Sequence, residues 1–368
     1  MKGRVWLVAA AVAYVAVMGC VMWPGETSVG HPGDAALDSN GAAPLPAPVK
    51  LTGLPYRGVA MQLQRIDNVA DYSRSVDQIA ALGADTVLFT VDSKQENGSS
   101  THIFLDMRSS PTPDKLGELI RYAKGKKLRV VLMPLVLLEN PRGNEWRGTI
   151  HPELWEEWWE SYRDMLHHYA TVAEANHVDV MAVGSELVST EKENNIGEWT
   201  RTIRQMRRDF HGQITYSANW DHYTSVPFWN QLDLVAINSY YTLGKNNQVT
   251  VPQIVNKWRD HQQALIAFER KIGRPFFFME VGWCSQANAA DVPWDYTQTT
   301  VPIDLDLQKR LYEAFFEAWY GVKEFGGFMI WAWDPNGGGA DDRGYTPHGK
   351  PAEDVLRKWL AKGPWKVQ

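Results

Sequence analysis

The chain has 368 residues, 44% of them hydrophobic, which is enough for one large core or two ordinary ones. A net charge of −6, with no basic stripe interleaved with aromatics, argues against nucleic acid as a partner. Only two cysteines, Cys20 and Cys284, are present, so no disulfide framework holds the protein together. The 17 tryptophans and 14 tyrosines lean towards carbohydrate, because flat rings stack on the C–H faces of sugars. Aromatics that merely fill a large barrel would give the same composition.

Residues 1–23 place Lys2 and Arg4 before an apolar run from Val5 to Trp23. That is the pattern of an export leader, and the run is also long enough to span a bilayer. Val17-Met18-Gly19-Cys20 resembles the lipobox of bacterial lipoproteins, in which the cysteine is lipidated. A lipoprotein leader and an uncleaved membrane anchor both stay open, and both predict an exported, membrane-tethered protein. Residues 24–50 are rich in Gly, Ala, Pro, Asp and Ser without apolar periodicity, which predicts a flexible linker. The folded domain is expected over residues 51–368.

From there strands and helices alternate. Residues 56–63 read as a strand and 69–82 as an amphipathic helix. A second strand is expected at 86–91, followed by a Ser- and Asn-rich loop at 92–102. Thr112-Pro113 is a start signal for a helix over 114–124. Residues 128–138 are almost unbroken apolar sequence, as in a parallel strand covered on both faces. A long helix over 153–176 leads to a strand ending in Glu186. The pattern continues with helix 199–210, strand 214–219, a short connection at 220–231 and strand 234–241. Helix 252–271, strand 276–283, helix 305–325, strand 327–333 and helix 351–360 complete it. Eight strands in repeated βα units predict an α/β fold, a closed (β/α)8 TIM barrel behind the leader and linker. An open doubly wound sheet is disfavoured because no Gly-rich phosphate loop follows the first strand.

Two glutamates stand at the ends of apolar strands, Glu186 on the fourth and Glu280 on the seventh. Burying a carboxylate there is costly unless the site uses it. Such barrels carry their chemistry at the C-terminal strand ends. A facing pair of carboxyls is what retaining glycoside hydrolysis requires, one as acid and one as nucleophile. A buried ion pair or a strand-end cap is the structural alternative. Asn219, Trp220, Tyr240, Tyr241, Trp331 and Trp333 fall at the same rim and are candidates for binding sugar. Alternation puts Asn238 and Tyr240 on one face and Tyr241 on the other, so Tyr240 is assigned to the pocket. The same geometry puts Trp333, rather than Trp331, at the rim. His167 and His168 lack partners at metal-ligand spacing, and the Asp334–Asp342 loop lacks the calcium-loop pattern, so neither metal nor cofactor is expected.

Several segments resemble glycoside hydrolase family 113, a clan A family whose characterised members are β-mannanases. They are Trp146-Arg147-Gly148, residues 155–186, 216–220 (YSANW), 232–241 (LDLVAINSYY), 279–283 (MEVGW) and 344–359. Their order and spacing cover most of residues 56–360. The resemblance implies Glu186 as general acid/base and Glu280 as nucleophile, 5–5.5 Å apart as in retaining enzymes generally. Ionised Glu280 would then raise the pKa of Glu186 and keep it protonated. Trp146 and Trp283, which lie in these motifs, join the substrate-binding candidates. Two positions depart from the clan: Ser185 rather than Asn precedes Glu186, and residues 86–91 carry no Arg. The expected activity is retaining hydrolysis of a β-linked polysaccharide or oligosaccharide, with β-mannan as the substrate the family implies. A β-glucanase, an exo-glycosidase and a non-catalytic carbohydrate-binding barrel of an envelope assembly are the alternatives.

Overall fold

The computed structural model describes residues 53–64 and 69–367. The leader, the lipobox with Cys20 and the linker lie outside the described residues. Among the described residues no helix is long and apolar enough to cross a membrane.

Eight parallel strands close into a barrel: β1 (Tyr56–Leu63), β2 (Thr86–Gln95), β4 (Arg129–Leu138), β5 (Val180–Ser185), β6 (Gln213–Asn219), β7 (Val235–Asn238), β8 (Phe276–Val281) and β9 (Phe325–Ile330). β1 pairs with both β2 and β9, which closes the ring. The remaining strand, β3 (Ile103–Phe104), is an antiparallel spur on the end of β2. Seven helices cover the outside: α1 (Val69–Ala81), α2 (Pro113–Gly125), α3 (Trp155–Ala175), α4 (Ile196–Asp209), α5 (Val251–Ile272), α6 (Leu305–Trp319) and α7 (Pro351–Leu360). Between β6 and β7 the chain makes only two single helical turns, at Tyr223–Ser225 and Trp229–Gln231, in the connection expected to be short.

Alternation along the strands builds two cores. On β4, Val131, Met133 and Leu135 point into the barrel, while Val130, Leu132 and Val136 face the helices. Both faces are covered, which is why the strand reads as continuous apolar sequence. Local signals set the helix ends. Thr112 accepts a hydrogen bond from the Lys115 N–H ahead of Pro113, and Gly273 ends α5 in the left-handed region at φ 69°. Gly327 sits at φ 119° where β9 meets β1, and a Cβ there would lie 1.9 Å from the Tyr56 carbonyl oxygen, so the closure admits only glycine.

Strand bounds differ from expectation where the site begins. β2 continues through Asp92 to Gln95 instead of opening into a loop at 92, because its backbone stays paired with β4 as far as Leu138. β7 stops at Asn238, so Tyr240 and Tyr241 lie beyond it. β9 stops at Ile330, so the alternation that put Trp331 and Trp333 on one face no longer applies.

Candidate active site

Glu186 is the first residue past β5 and adopts φ 53°, a left-handed conformation uncommon outside glycine. Its N–H donates to the Ser217 carbonyl at 2.9 Å, which ties the turn to β6. Both carboxyl oxygens have donors. The Arg147 guanidinium reaches Oε2 at 2.6 Å, and Asn238 Nδ2 donates to Oε1 at 2.9 Å. Asn238 is itself oriented by the Ser217 hydroxyl, which donates to its Oδ1 at 2.6 Å.

Glu280 lies on β8, 4% exposed. The Tyr240 hydroxyl donates to its Oε2 at 2.6 Å, while its buried Oε1 has no hydrogen-bond partner. Burial pushes the Glu280 carboxyl up to about 8, and the neighbouring Glu186 charge adds to the rise. The Arg147 charge, the Tyr240 hydrogen bond and the nearby Asn238 amide pull the other way. Glu280 is the deeper of the two and the one with an undonated oxygen.

Arg147, on a helical turn after β4, holds the pair together. Burial works against its charge, but Glu186, Glu280, Tyr240 and Asp92 outweigh that and raise its pKa. Asp92, within the C-terminal half of β2, is buried, takes a 2.8 Å hydrogen bond from Gln64 Nε2, and leaves Oδ1 without a partner. Burial raises its carboxyl as well.

Of the aromatic candidates, Tyr240 is in contact with Glu280. Trp331, half-buried past β9, packs against the barrel's inner core. Trp333 does not stand at the rim: its indole N–H donates to Gln78 on α1, and its ring lies 4.7 Å from that of His348. The chain past Ile330 turns back to β1, with the Trp333 N–H on the Ala60 carbonyl, and this carries the ring outwards. Trp283 is buried between β8 and α6 against Tyr312 and Phe315, and Tyr241 packs on His261 and Trp258. Trp220 stacks on the exposed Trp294, and Asn219 Oδ1 accepts the Trp220 N–H. Trp146 is exposed beside Arg147. Cys284 is buried, its thiol pushed up to about 12 by burial. In the loop after β9, Asp342 is taken up by the buried Lys350 ammonium and by two backbone N–H groups.

Sequence reasoning did not single out Arg147 or Asn238 as site residues. The first lies on a loop without periodicity, although inside a motif of the resemblance. The second shares the Tyr240 face, which alternation did show. A guanidinium thus reaches Glu186 from the turn after β4 and an amide from β7.

Comparison with known families matches residues 67–350 to Glycoside Hydrolase Family 113. The chain belongs to that family. It is therefore a glycoside hydrolase. Among solved structures it is similar to the family 113 β-mannanase of Alicyclobacillus acidocaldarius in complex with ManMIm. That match has 28% identity and a TM-score of 0.75, and it covers 84% of this chain and 98% of that one. A family 113 β-1,4-mannanase solved as a complex is 26% identical with the same TM-score, covering 84% and 99%. A family 5 mannosidase of Rhizomucor miehei, 10% identical at TM-score 0.57 over 84% and 92%, shares the fold. No curated protein matches the sequence.

Proposed function

We propose that this hydrolase is a retaining β-mannanase that cleaves β-1,4-mannan by double displacement. The observation that carries the mechanism is Glu280: one oxygen is held by Tyr240 and the other is buried, undonated and free to bond. The first step starts from the form in which the proton of the pair sits on Glu186 and Glu280 is ionised: Glu280 Oε1 bonds to the anomeric carbon as the bond to the leaving oxygen breaks. Glu186 gives that oxygen its proton, and the departing chain leaves as an alcohol. In the second step water attacks the glycosyl ester from the opposite face. Glu186 accepts the water's proton, the ester bond breaks, and the Glu280 carboxylate is restored. Two inversions retain the β configuration. Arg147 steadies the negative charge that alternates between the two carboxyls, and Asn238 keeps them in register. The two family 113 structures, both β-mannanases by name, support mannan as the substrate.

The test incubates the purified protein with β-mannan, glucomannan, β-glucan and xylan and follows reducing ends. Cleavage of mannan that is lost in Glu186→Gln and Glu280→Gln is the expected result. Rescue of Glu280→Ala by azide, giving an inverted glycosyl azide, would identify the nucleophile. Wild-type rates in Glu280→Ala would overturn the mechanism.

The same reading makes this an exported enzyme tethered to a bacterial envelope membrane by residues 1–23, with 24–50 as the spacer and the hydrolase domain from 51 onward. It rests on Lys2 and Arg4 before the apolar run and on the lipobox-like Val17–Cys20. Cell fractionation of the full chain tests it: recovery in the soluble cytoplasm would end it. Lipid labelling that persists in Cys20→Ala would exclude the lipoprotein form.

A further inference from the structure

Five residues beyond Glu186 the sequence places another buried carboxyl, Glu191, 5% exposed at the end of the helical turn Val188–Thr190. No step above uses it. One of its oxygens accepts a hydrogen bond from the Tyr216 hydroxyl on β6, and the other is buried without a partner. The same hydroxyl oxygen accepts the N–H of Leu187 at 2.8 Å. Leu187 N–H belongs to the peptide that leaves Glu186, so pinning it fixes ψ of Glu186 in the left-handed turn. A second tie, the Thr190 hydroxyl on the Leu187 carbonyl at 2.7 Å, closes the turn from the other side.

A hydroxyl that donates to a carboxylate is a stronger acceptor, because charge-assisted and chained hydrogen bonds polarise one another. A neutral cap would hold the turn less firmly and would spare the cost of a buried carboxyl. We propose that Glu191, acting through the Tyr216 hydroxyl and the Leu187 N–H, is a positioning residue that holds the Glu186 carboxyl against the glycosidic oxygen. The inference rests on Glu186 being the acid/base and deepens that reading. The titratable groups facing Glu191 are Tyr216 from β6, Glu186 from the end of β5, and His222 and Asp221 from the turn after β6. Burial lifts its carboxyl to about 7, with Glu186 and Asp221 adding and Tyr216 and His222 opposing.

The experiment uses the full chain with aryl β-mannobiosides of 2,4-dinitrophenol and of phenol. A dinitrophenolate leaves without a proton, whereas phenol needs the acid, so a misplaced Glu186 penalises only the second. Glu191→Leu and Tyr216→Phe are expected to lose about 100-fold in kcat/KM on the phenyl substrate, a typical general-acid contribution, and only a few-fold on the dinitrophenyl one. Glu191→Gln, which keeps an acceptor for Tyr216 but not the charge, is expected to recover only part of the phenyl rate. The double variant should be no slower than Tyr216→Phe, since both act on one path. Equal losses on both substrates at unchanged thermal stability would overturn the proposal, as would wild-type rates in Glu191→Leu. A wild-type protein active on neither mannobioside, nor on mannan, would instead bring down the β-mannanase reading and this inference with it. If the substrates separate in Glu191→Leu while azide rescue of Glu280→Ala fails, the nucleophile assignment fails and the positioning role stands.

Discussion

At the N-terminal end of the barrel three aspartates stand just before strands, each with its carboxyl turned to the neighbouring strand. Asp85 accepts the Arg57 N–H, Asp179 the Val130 N–H and Asp233 the Ile214 N–H, and each also pairs with a cation: Arg57 and Arg129, Lys124, and Arg207. At the C-terminal end the buried polar groups are left incomplete: Glu280 Oε1, Asp92 Oδ1 and Arg147 Nε have no partner. Of the three aspartates only Asp233 is fully buried; the side chains of Asp85 and Asp179 are 27% and 33% exposed, so depth is part of the difference, and Asp233 is the one that compares directly with the rim. Gln213 Nε2, at the start of β6, also lacks a partner, so the contrast is one of charged groups: the aspartate pairs tie strand to strand, while the charged groups at the rim keep unpartnered atoms. In a barrel whose loops carry the chemistry at one rim, that asymmetry marks the rim.

Removing a charge from each end should sharpen the contrast. Glu280→Gln is expected to lower kcat on mannan by at least about 1,000-fold, as when a nucleophile is deleted, with stability unchanged or improved. Asp233→Ala should do the reverse. It strands the buried Arg207, whose guanidinium lies 2.7 Å from the lost carboxylate, at a cost of about 3–5 kcal/mol. Denaturant unfolding reads the second and steady-state kinetics the first. An Asp233→Ala protein as stable as wild type, or one that folds but loses activity per molecule, would dissolve the distinction.

Arg147→Met probes the rim without touching either glutamate. The 2.6 Å bond to Glu186 and the charge that opposes the rise at Glu280 both disappear. A loss of about 100- to 1,000-fold in kcat, as for removal of one preorganised donor, is expected by kinetics on mannan. Arg147→Lys should recover little, because an ammonium lacks the planar fork. Full recovery by lysine would reduce Arg147 to a point charge.

How much of this was legible before the structure depends on the kind of signal. Strand β1 and helix α7 fall on their expected residues, because apolar runs and a Pro at the first turn are local signals. Glu186 and Glu280 stood out because a charge closing an apolar run has no local explanation. Arg147 did not, since a cation in a polar loop is ordinary until the fold carries it to Glu186. Trp333 and Trp283 are hard to place from sequence for the opposite reason. Aromatics near strand ends suit a sugar platform and a core equally, and only the turn of the chain past Ile330 and the packing of α6 decide between them.

The subtlest difference between the two ends is in how stability responds to pH. Burial carries Glu280 from an ordinary 4.5 to about 8, so the folded protein prefers it protonated while the unfolded chain releases that proton at the ordinary value. The group's contribution to stability is then fully present below about 4.5 and is lost as pH rises through about 8. Glutamine cannot titrate. Glu280→Gln should therefore resemble wild type at pH 4 and exceed it in stability at pH 8–9, the gap opening between those limits. Removing Arg147 takes away a charge that holds the value down, so Arg147→Met should carry the same loss on to higher pH. Unfolding curves collected every pH unit from 4 to 9 measure both slopes. If wild type and Glu280→Gln run parallel across that interval, Glu280 is ionised throughout, and the rim compensates its buried charge as fully as the aspartates do at the other end.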